Sequence, residues 1–281
     1  MNRIRPASVA GSFYPSDAEE LSRLIDQCFD LSPLGPHGLR SPSLSLIGGL
    51  VPHAGYIYSG PCASHLYARF DPSIARVILL GVNHQGSGYR AALSPAEFWQ
   101  TPLGPVRIDQ DLSHLLEDQI VFLKQDEAAH DREHSIEVQL PFLQHALGEF
   151  SLIPIALAHI SIEECAELGA AVADLCRNTN HSETRTVIMA SSDLSHYLSA
   201  KETARLDGMA LEKVLALNPR GLIETAEQEN ITMCGLLPTA VLLFAAIALG
   251  VKRASLLKHC DSGDVTPMRK VVGYASVAFE L

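Results

Sequence analysis

Apolar residues recur along the chain with two spacings that predict alternating helices and strands. A helix is predicted over residues 17–29, because steps of one to three residues keep four apolar side chains on one face: Leu21, Leu24, Ile25 and Cys28. The run RVILLGV at residues 76–82 is short, unbroken and rich in branched side chains, which predicts a strand buried on both faces.

The same patterns assign most of the remaining chain. Helices are predicted at 60–70, 135–147, 162–176, 204–217 and 236–249, and strands at 44–51, 151–157, 186–190, 254–259 and 271–279. Residues 33–43 predict a loop, and residues 86–109, which contain Trp99, predict an irregular hairpin or flap. Strands that alternate with helices predict an α/β fold. We expect one domain over residues 1–281, with a mostly parallel or mixed central sheet and helices on both faces.

Composition narrows the classes of partner. The net charge of -11 and the lack of a Lys/Arg run argue against nucleic acid. The most apolar segment, residues 236–249, is shorter than the roughly 20 residues of a membrane span. The N-terminal residues also lack the apolar stretch of a signal peptide. We therefore expect a cytoplasmic protein with no membrane or nucleic-acid partner, whose six cysteines do not form disulfides.

Polar groups follow three of the predicted strands. His53 and His84 come after the first two, and the segment SSDLSHY, with Asp193 and His196, follows the third. In open α/β sheets ligands bind beyond the carboxyl ends of the strands, so these side chains are expected to lie close together. Two imidazoles and one anionic group are the minimal ligand set for a metal with open positions, such as Fe(II) or Zn(II).

The residues alone leave the anionic ligand open. Asp193 could supply a carboxylate, or cap the turn that follows it. Cys234, just before a predicted helix, could supply a thiolate, or be a small core residue. His134 opens another predicted helix and shares a face with Glu137, as an acid–base group or as part of a solvated helix start.

Longer motifs add a family resemblance. The strings RPASVAGSFYP, LVPHAGYIYSG, GVNHQG, TPLGPV, EHSIEVQLPFLQ, SSDLSHY, MCG and DSGDV occur in this order between Arg5 and the C-terminal region. In order and context they resemble the Memo family, which includes the group described as AmmeMemoRadiSam system protein B. Several of these strings are long, so the resemblance is specific.

The resemblance implies a fold similar to that of class III extradiol dioxygenases, which use non-haem Fe(II). His53 and His84 match the two histidine ligands of those enzymes, and His196 matches their acid–base histidine. Cys234 lies where the dioxygenases have a glutamate ligand, which puts ring cleavage in doubt but leaves metal binding plausible. Asp193 would lie beside the metal as a ligand or a supporting group, and His134 would line the same pocket.

The resemblance also implies a cofactor and partners. Fe(II) is the expected metal, with copper or zinc as alternatives, in an oxidoreductase that acts with a radical-SAM system on a small molecule or peptide. Two other hypotheses stay open. One is a non-catalytic module that retains the pocket and binds a peptide or protein, with the surface around Trp99 capturing the partner. The other is a zinc-dependent hydrolase in which His196 or His134 activates a bound water.

Overall fold

Short apolar runs form the strands of one mixed sheet. The computed structural model describes residues 3–30, 32–180 and 184–281. In this part of the chain the strands are β1 (Ile4–Arg5), β2 (Leu46–Val51), β3 (Ile74–Val82), β4 (Ala91–Leu93), β5 (Phe98–Thr101), β6 (Gly104–Ile108), β7 (Lys124–Gln125), β8 (Ser151–Leu157), β9 (Arg185–Ser191), β10 (His196–Leu198), β11 (Arg253–Asp261) and β12 (Val271–Glu280).

The helices follow the strands in alternation over most of the chain. Those of the described residues are α1 (Ala18–Asp30), α2 (Tyr56–Tyr67), α3 (Gln110–Gln119), α4 (Leu140–Leu147), α5 (Ile162–Thr179), α6 (Ala200–Leu215), α7 (Pro219–Glu229), α8 (Leu236–Leu249) and α9 (Ser262–Val265). None of these helices combines the length and apolarity needed to cross a bilayer, as far as the described chain extends.

Four parallel strands form the centre of the sheet. The strand order is β1-β5-β6-β8-β3-β9-β2-β12-β10, with β11 paired to β12 and with β4 paired to β7 and β8. Strands β8, β3, β9 and β2 are mutually parallel, whereas β12 is antiparallel to β2. Val51 of β2 is in register with Ser191 of β9, so their carboxyl ends finish at the same edge. The predicted α/β fold with a mixed sheet is confirmed.

Both faces of the sheet are covered by helices, as predicted. On strand β3, Ile78 and Leu80 belong to the core that contains α5 and α8, while Val77 and Leu79 belong to the core that contains α1, α2 and α4. Consecutive side chains of a strand point to opposite faces, so this strand contributes to both cores. Gly169 lets α5 approach α8, because a Cβ at this position would lie 2.6 Å from Phe244 Cβ.

Residues 86–109 were predicted to form an irregular hairpin or flap; the segment contains the hairpin of β5 and β6, and the alternative of a flap was wrong. This segment supplies β4, β5 and β6, and β6 pairs in parallel with β8 in the main sheet. Trp99 is fully buried, its Nε1–H donates to Ser94 Oγ at 2.9 Å, and the Arg5 guanidinium lies 4.1 Å from the ring centroid. The indole is therefore a core side chain and does not form a surface for partner capture.

The predicted helix at 135–147 is also shorter than expected. The α-helix begins at Leu140, and residues Glu137–Gln139 form a 3₁₀ turn before it. Both Glu137 and Gln139 are buried and hydrogen-bonded to distant parts of the chain. These tertiary contacts account for the tighter turn at the start of the helix.

Candidate metal centre

Three histidines meet at the carboxyl-end edge of the parallel strands. His53 lies two residues after β2, His84 lies two residues after β3, and His134 precedes the 3₁₀ turn. One donor nitrogen from each ring lies within 4.8 Å of the others. His53 is buried, whereas the His84 residue is exposed, so the group opens to solvent on the His84 side. This arrangement could hold a metal ion.

A buried serine fixes the orientation of the His53 ring. Ser191 Oγ donates to the Ser135 carbonyl oxygen at 2.6 Å and accepts from Gln139 Nε2 at 2.8 Å. His53 Nδ1 lies 3.0 Å from the same Oγ. Since the only hydroxyl proton goes to Ser135, His53 Nδ1 must be the donor in this contact. The lone pair of His53 is thus on Nε2, which faces the site.

One carboxylate contacts the other two histidines. Glu133 Oε1 accepts from His84 Nδ1 at 2.9 Å and lies 3.5 Å from His134 Nδ1. The two rings stack with centroids 4.6 Å apart and planes inclined by 19°. Burial is the largest single influence and raises the pKa of Glu133, but the hydrogen bond and charge of His84, the Ser135 backbone N–H and the charge of His134 together lower it to about 2.

The segment that carries His134 is joined to the end of β3. Val82 N–H donates to Ser135 Oγ at 2.9 Å, and the same hydroxyl lies 3.1 Å from the Val82 carbonyl oxygen. Gly81 allows this contact, because a Cβ there would lie 2.4 Å from Ile136 Cγ1. The glycine thereby brings His134 next to His84, although the two are fifty residues apart in the sequence.

Cys234 and Asp193 lie on the other side of His53. Cys234 Sγ is 3.1 Å from His53 Nε2, but Cys234 is not a member of the group whose donor atoms all lie within 4.8 Å. Asp193 Oδ1 accepts from the His53 backbone N–H at 2.7 Å. Burial raises the pKa of Asp193 to about 6 and places the pKa of Cys234 well above its usual range.

His196 lies at the rim of the site. Its backbone N–H donates to Thr232 Oγ1 and its Nδ1 donates to the Thr232 carbonyl oxygen, both at 2.8 Å. A carbonyl oxygen can only accept, so Nε2 of the neutral ring carries the lone pair. The next residue, Tyr197, has a φ of 59° and lies at a register shift between β10 and β12. This bulge allows His196 to leave the strand pattern.

Burial favours the neutral imidazoles of His53 and His134. Burial lowers the pKa of His53 well below its usual value, and the neighbouring His134 and His84 lower it further. Burial also lowers the pKa of His134. A metal ion binds the neutral ring, so both residues are ready to act as ligands at neutral pH. The donor set therefore fits a transition-metal ion.

The predicted pairing of His134 with Glu137 was wrong. Glu137 accepts from Arg5 Nη1 at 2.7 Å and from Tyr14 Oη at 2.6 Å, and so anchors the N-terminal segment. This segment places Phe13 on the His134 ring, with centroids 4.6 Å apart. The carboxylate beside His134 is Glu133. Residues 133 and 137 are both glutamates in one short motif, and only tertiary contacts distinguish them.

The fold and the site together define a class: a mixed α/β protein with a three-histidine group at the carboxyl edge of its sheet that could hold a metal. The model of a family described as Memo-like protein matches residues 5–278. This chain belongs to the Memo family.

Archaeal relatives match the whole chain. MEMO1 family proteins of Methanopyrus kandleri, Pyrobaculum arsenaticum and Ignicoccus hospitalis are 39%, 40% and 41% identical to it. Each alignment covers 98% or 99% of both chains. Among solved structures, an uncharacterized protein of Escherichia coli K12 is similar with a TM-score of 0.50 and 10% identity, over 74% of this chain and 86% of that one. This last likeness concerns the fold alone.

Proposed function

We propose that this protein is a metal-dependent oxidoreductase that holds iron(II) between His53, His84 and His134. The observation that carries the proposal is the convergence of three imidazoles whose donor nitrogens lie within 4.8 Å of one another. Imidazole ligands suit iron, copper and zinc alike, so the preference for iron comes from the resemblance to non-haem iron dioxygenases. When bound, the ion supplies a Lewis-acidic, redox-active centre with open coordination positions.

Three side chains around the ligands have distinct roles in this proposal. His196 presents an unprotonated Nε2 at the rim and acts as the acid–base group on the substrate. Asp193 holds the backbone at His53 and, with a pKa of about 6, exchanges a proton near neutral pH. Cys234, in contact with His53 Nε2, is the alternative third ligand that the sequence predicts.

The substrate and partners follow from the same proposal. The exposed side of His84 leaves room for a small organic molecule or a peptide. The resemblance to the AmmeMemoRadiSam group supports action together with a radical-SAM system. We also propose a cytoplasmic location, because the cysteines of the described chain are free thiols, which persist in a reducing compartment.

Metal analysis of anaerobically purified protein tests the metal and its ligands. We expect one Fe(II) per chain. We also expect His134→Ala to weaken Fe(II) binding more than Cys234→Ser does, because His134, unlike Cys234, belongs to the group whose donor atoms lie within 4.8 Å of one another. Stronger loss in Cys234→Ser would assign the third position to the thiolate. A wild-type protein that binds no iron, copper or zinc would contradict the proposal.

Reaction with small probes separates the classes of activity. Iron-loaded protein is expected to bind nitric oxide, a surrogate for dioxygen, and to give the electron paramagnetic resonance signal of a ferrous nitrosyl. Zinc-loaded protein is expected to leave p-nitrophenyl acetate unhydrolysed. If the zinc-loaded protein hydrolysed the ester and the iron-loaded protein did not bind nitric oxide, the results would favour the hydrolase. A non-catalytic module that no longer binds metal would give neither response.

A further inference from the structure

Glu133 is a fully buried carboxylate whose contacts are concentrated on the candidate ligands. Its Oε2 accepts from the His84 backbone N–H at 2.7 Å, and its Oε1 accepts from His84 Nδ1 at 2.9 Å. Oε1 also accepts from the backbone N–H groups of His134 at 2.9 Å and Ser135 at 2.8 Å. One side chain thus fixes both the backbone and the ring of His84, and the backbone of His134.

These contacts determine which nitrogen of His84 is available. An ionised carboxylate only accepts hydrogen bonds, so Nδ1 of His84 carries the proton and Nε2 carries the lone pair. Metal-binding histidines commonly donate their second ring nitrogen to a carboxylate in this way, which fixes the tautomer and makes the ligand more basic. The His134 ring stacks on His84 and has its Nδ1 3.5 Å from the same oxygen.

The charge of Glu133 is the second argument. Within the described residues, no Lys or Arg side chain forms an ion pair with its carboxylate, and the basic groups within 4.0 Å of it are the imidazoles of His84 and His134, which are cationic only when protonated. The Arg5 guanidinium contacts the Glu133 backbone carbonyl instead, and its ion pair is with Glu137. A buried anion without a permanent cation is costly, so a bound metal cation would compensate it.

Resting on the metal site proposed above, we propose that Glu133 is a positioning residue of that site. It leaves Nε2 of His84 free to bind the ion, holds the backbone of His134, and supplies the buried negative charge that balances the ion. His53 is held separately through Ser191. The site therefore has two supports, and Glu133 serves the two ligands that are not held by Ser191.

Glu137 provides a matched control. It lies four residues later in the same segment, its side chain is equally buried, and it hydrogen-bonds to Arg5 and Tyr14 rather than to an imidazole. The variants Glu133→Gln and Glu137→Gln remove the same charge from neighbouring positions. General damage to the segment would affect both variants, whereas loss of ligand support would affect only the first.

Metal titration of the two variants is the first test. We expect Glu133→Gln to weaken anaerobic Fe(II) binding by about 10–100-fold, the range found when outer hydrogen-bond partners of metal ligands are lost. The Fe(II) affinity of Glu137→Gln should stay within about 3-fold of the wild-type affinity, which is a small change compared with that range. Equal affinities for Glu133→Gln and wild type, or equal losses in both variants, would overturn the inference. Absence of metal binding in the wild type would instead refute the proposed function.

A measurement on metal-free protein makes the test independent of affinity. Nitrogen-15 NMR of the imidazoles is expected to show His84 with its proton on Nδ1 in the wild type and in Glu137→Gln, and a changed tautomer population in Glu133→Ala, which removes the acceptor. A His84 tautomer that is the same in all three proteins would overturn the inference. If Glu133→Gln does not fold, Glu133→Asp retains the charge but shortens the reach, and it should weaken metal binding by a smaller factor.

Discussion

The two edges of the parallel sheet differ in what they bring together. The carboxyl edge carries three imidazoles, each held by a hydrogen bond that its ring or backbone N–H donates to a buried side chain. The amino edge carries an open space, a cavity of about 1030 Å³ beside the starts of β3 and β8. Its lining in the described chain includes one histidine, His145, which lies near Arg40 and Asp26.

This difference shows that the volume of a cavity does not locate the chemistry. At the carboxyl edge, buried hydrogen-bond partners fix ring orientation and leave donor atoms directed at one point. At the amino edge, polar side chains such as Arg76 and Asp109 pair with each other around open space. Preorganised donors are what a metal site requires. Metal binding should therefore depend on the first edge and be independent of the second.

The largest expected effect is the loss of metal binding on removal of a ligand. His84→Ala should weaken Fe(II) binding by more than about 100-fold, beyond the effect of losing an outer partner. His145→Ala removes a histidine at the opposite edge and should leave the affinity unchanged. Anaerobic titration followed by metal analysis measures both. If the two variants behaved alike, the contrast between the edges would have no bearing on metal binding.

Two glycines, one near each edge of the sheet, allow a second comparison of the two edges with a smaller expected effect. Gly81→Ala places a Cβ 2.4 Å from Ile136 Cγ1, so it should lower the free energy of unfolding by about 1–3 kcal/mol and displace the segment that carries His134. Gly148, which lines the cavity at the amino edge, has a φ of +72° with no atom within 4 Å of a Cβ. Gly148→Ala should cost about 1 kcal/mol through backbone strain alone.

Urea unfolding and Fe(II) titration of both glycine variants test this contrast. Gly81→Ala should lose both stability and metal affinity, since it disturbs the contact between β3 and the His134 segment. Gly148→Ala should lose stability only. Normal Fe(II) binding in a destabilised Gly81→Ala would show that the close packing at Gly81 has no part in placing His134.

The sequence predicted the long elements well and the short polar ones poorly. Strand β8 and helix α8 have the predicted bounds, because their side chains are buried in patterns that the sequence displays. Helices α3 and α7 were missed, since their apolar residues are few and the main signals are the capping residues Asp109 and Asn218. Local capping is a weak signal when no apolar stripe accompanies it.

The site was predictable only in part, for a related reason. His53 and His84 follow β2 and β3, which are parallel and flank β9, so both residues lie at the same edge of the sheet. A shared edge could be inferred from the chain. The supporting role of Glu133 and Ser191 could not, because it depends on how the segment of residues 133–139 folds onto the strand ends. The signal available was the EHS motif itself, with Glu133 directly before His134. Spacing alone favoured Glu137 instead.

The smallest expected effect concerns pH. Burial, and next the Arg5 charge, lower the pKa of His130 to about 4, and its Nε2 lies 3.0 Å from the Ala92 carbonyl oxygen. The unfolded chain binds a proton at a histidine near pH 6.5. Between about pH 6.5 and 4 the unfolded state thus holds more protons at this residue, and the free energy of unfolding falls as pH decreases. By this linkage, His130 should account for about 1–2 kcal/mol of the loss between pH 7 and 5.

Substitution by glutamine isolates this contribution, because the amide can donate the same hydrogen bond to Ala92 but does not titrate. His130→Gln should therefore have a flatter dependence of the free energy of unfolding on pH than the wild type, whatever its stability at pH 7. At the amino edge, the pKa of His145 is lowered by burial but the ring is partly exposed, so His145→Gln should flatten the profile less. Urea unfolding at several pH values gives both profiles. Equal flattening in the two variants would mean that the full burial of His130 and the partial exposure of His145 impose the same penalty on a charged imidazole, contrary to the contrast between these two histidines.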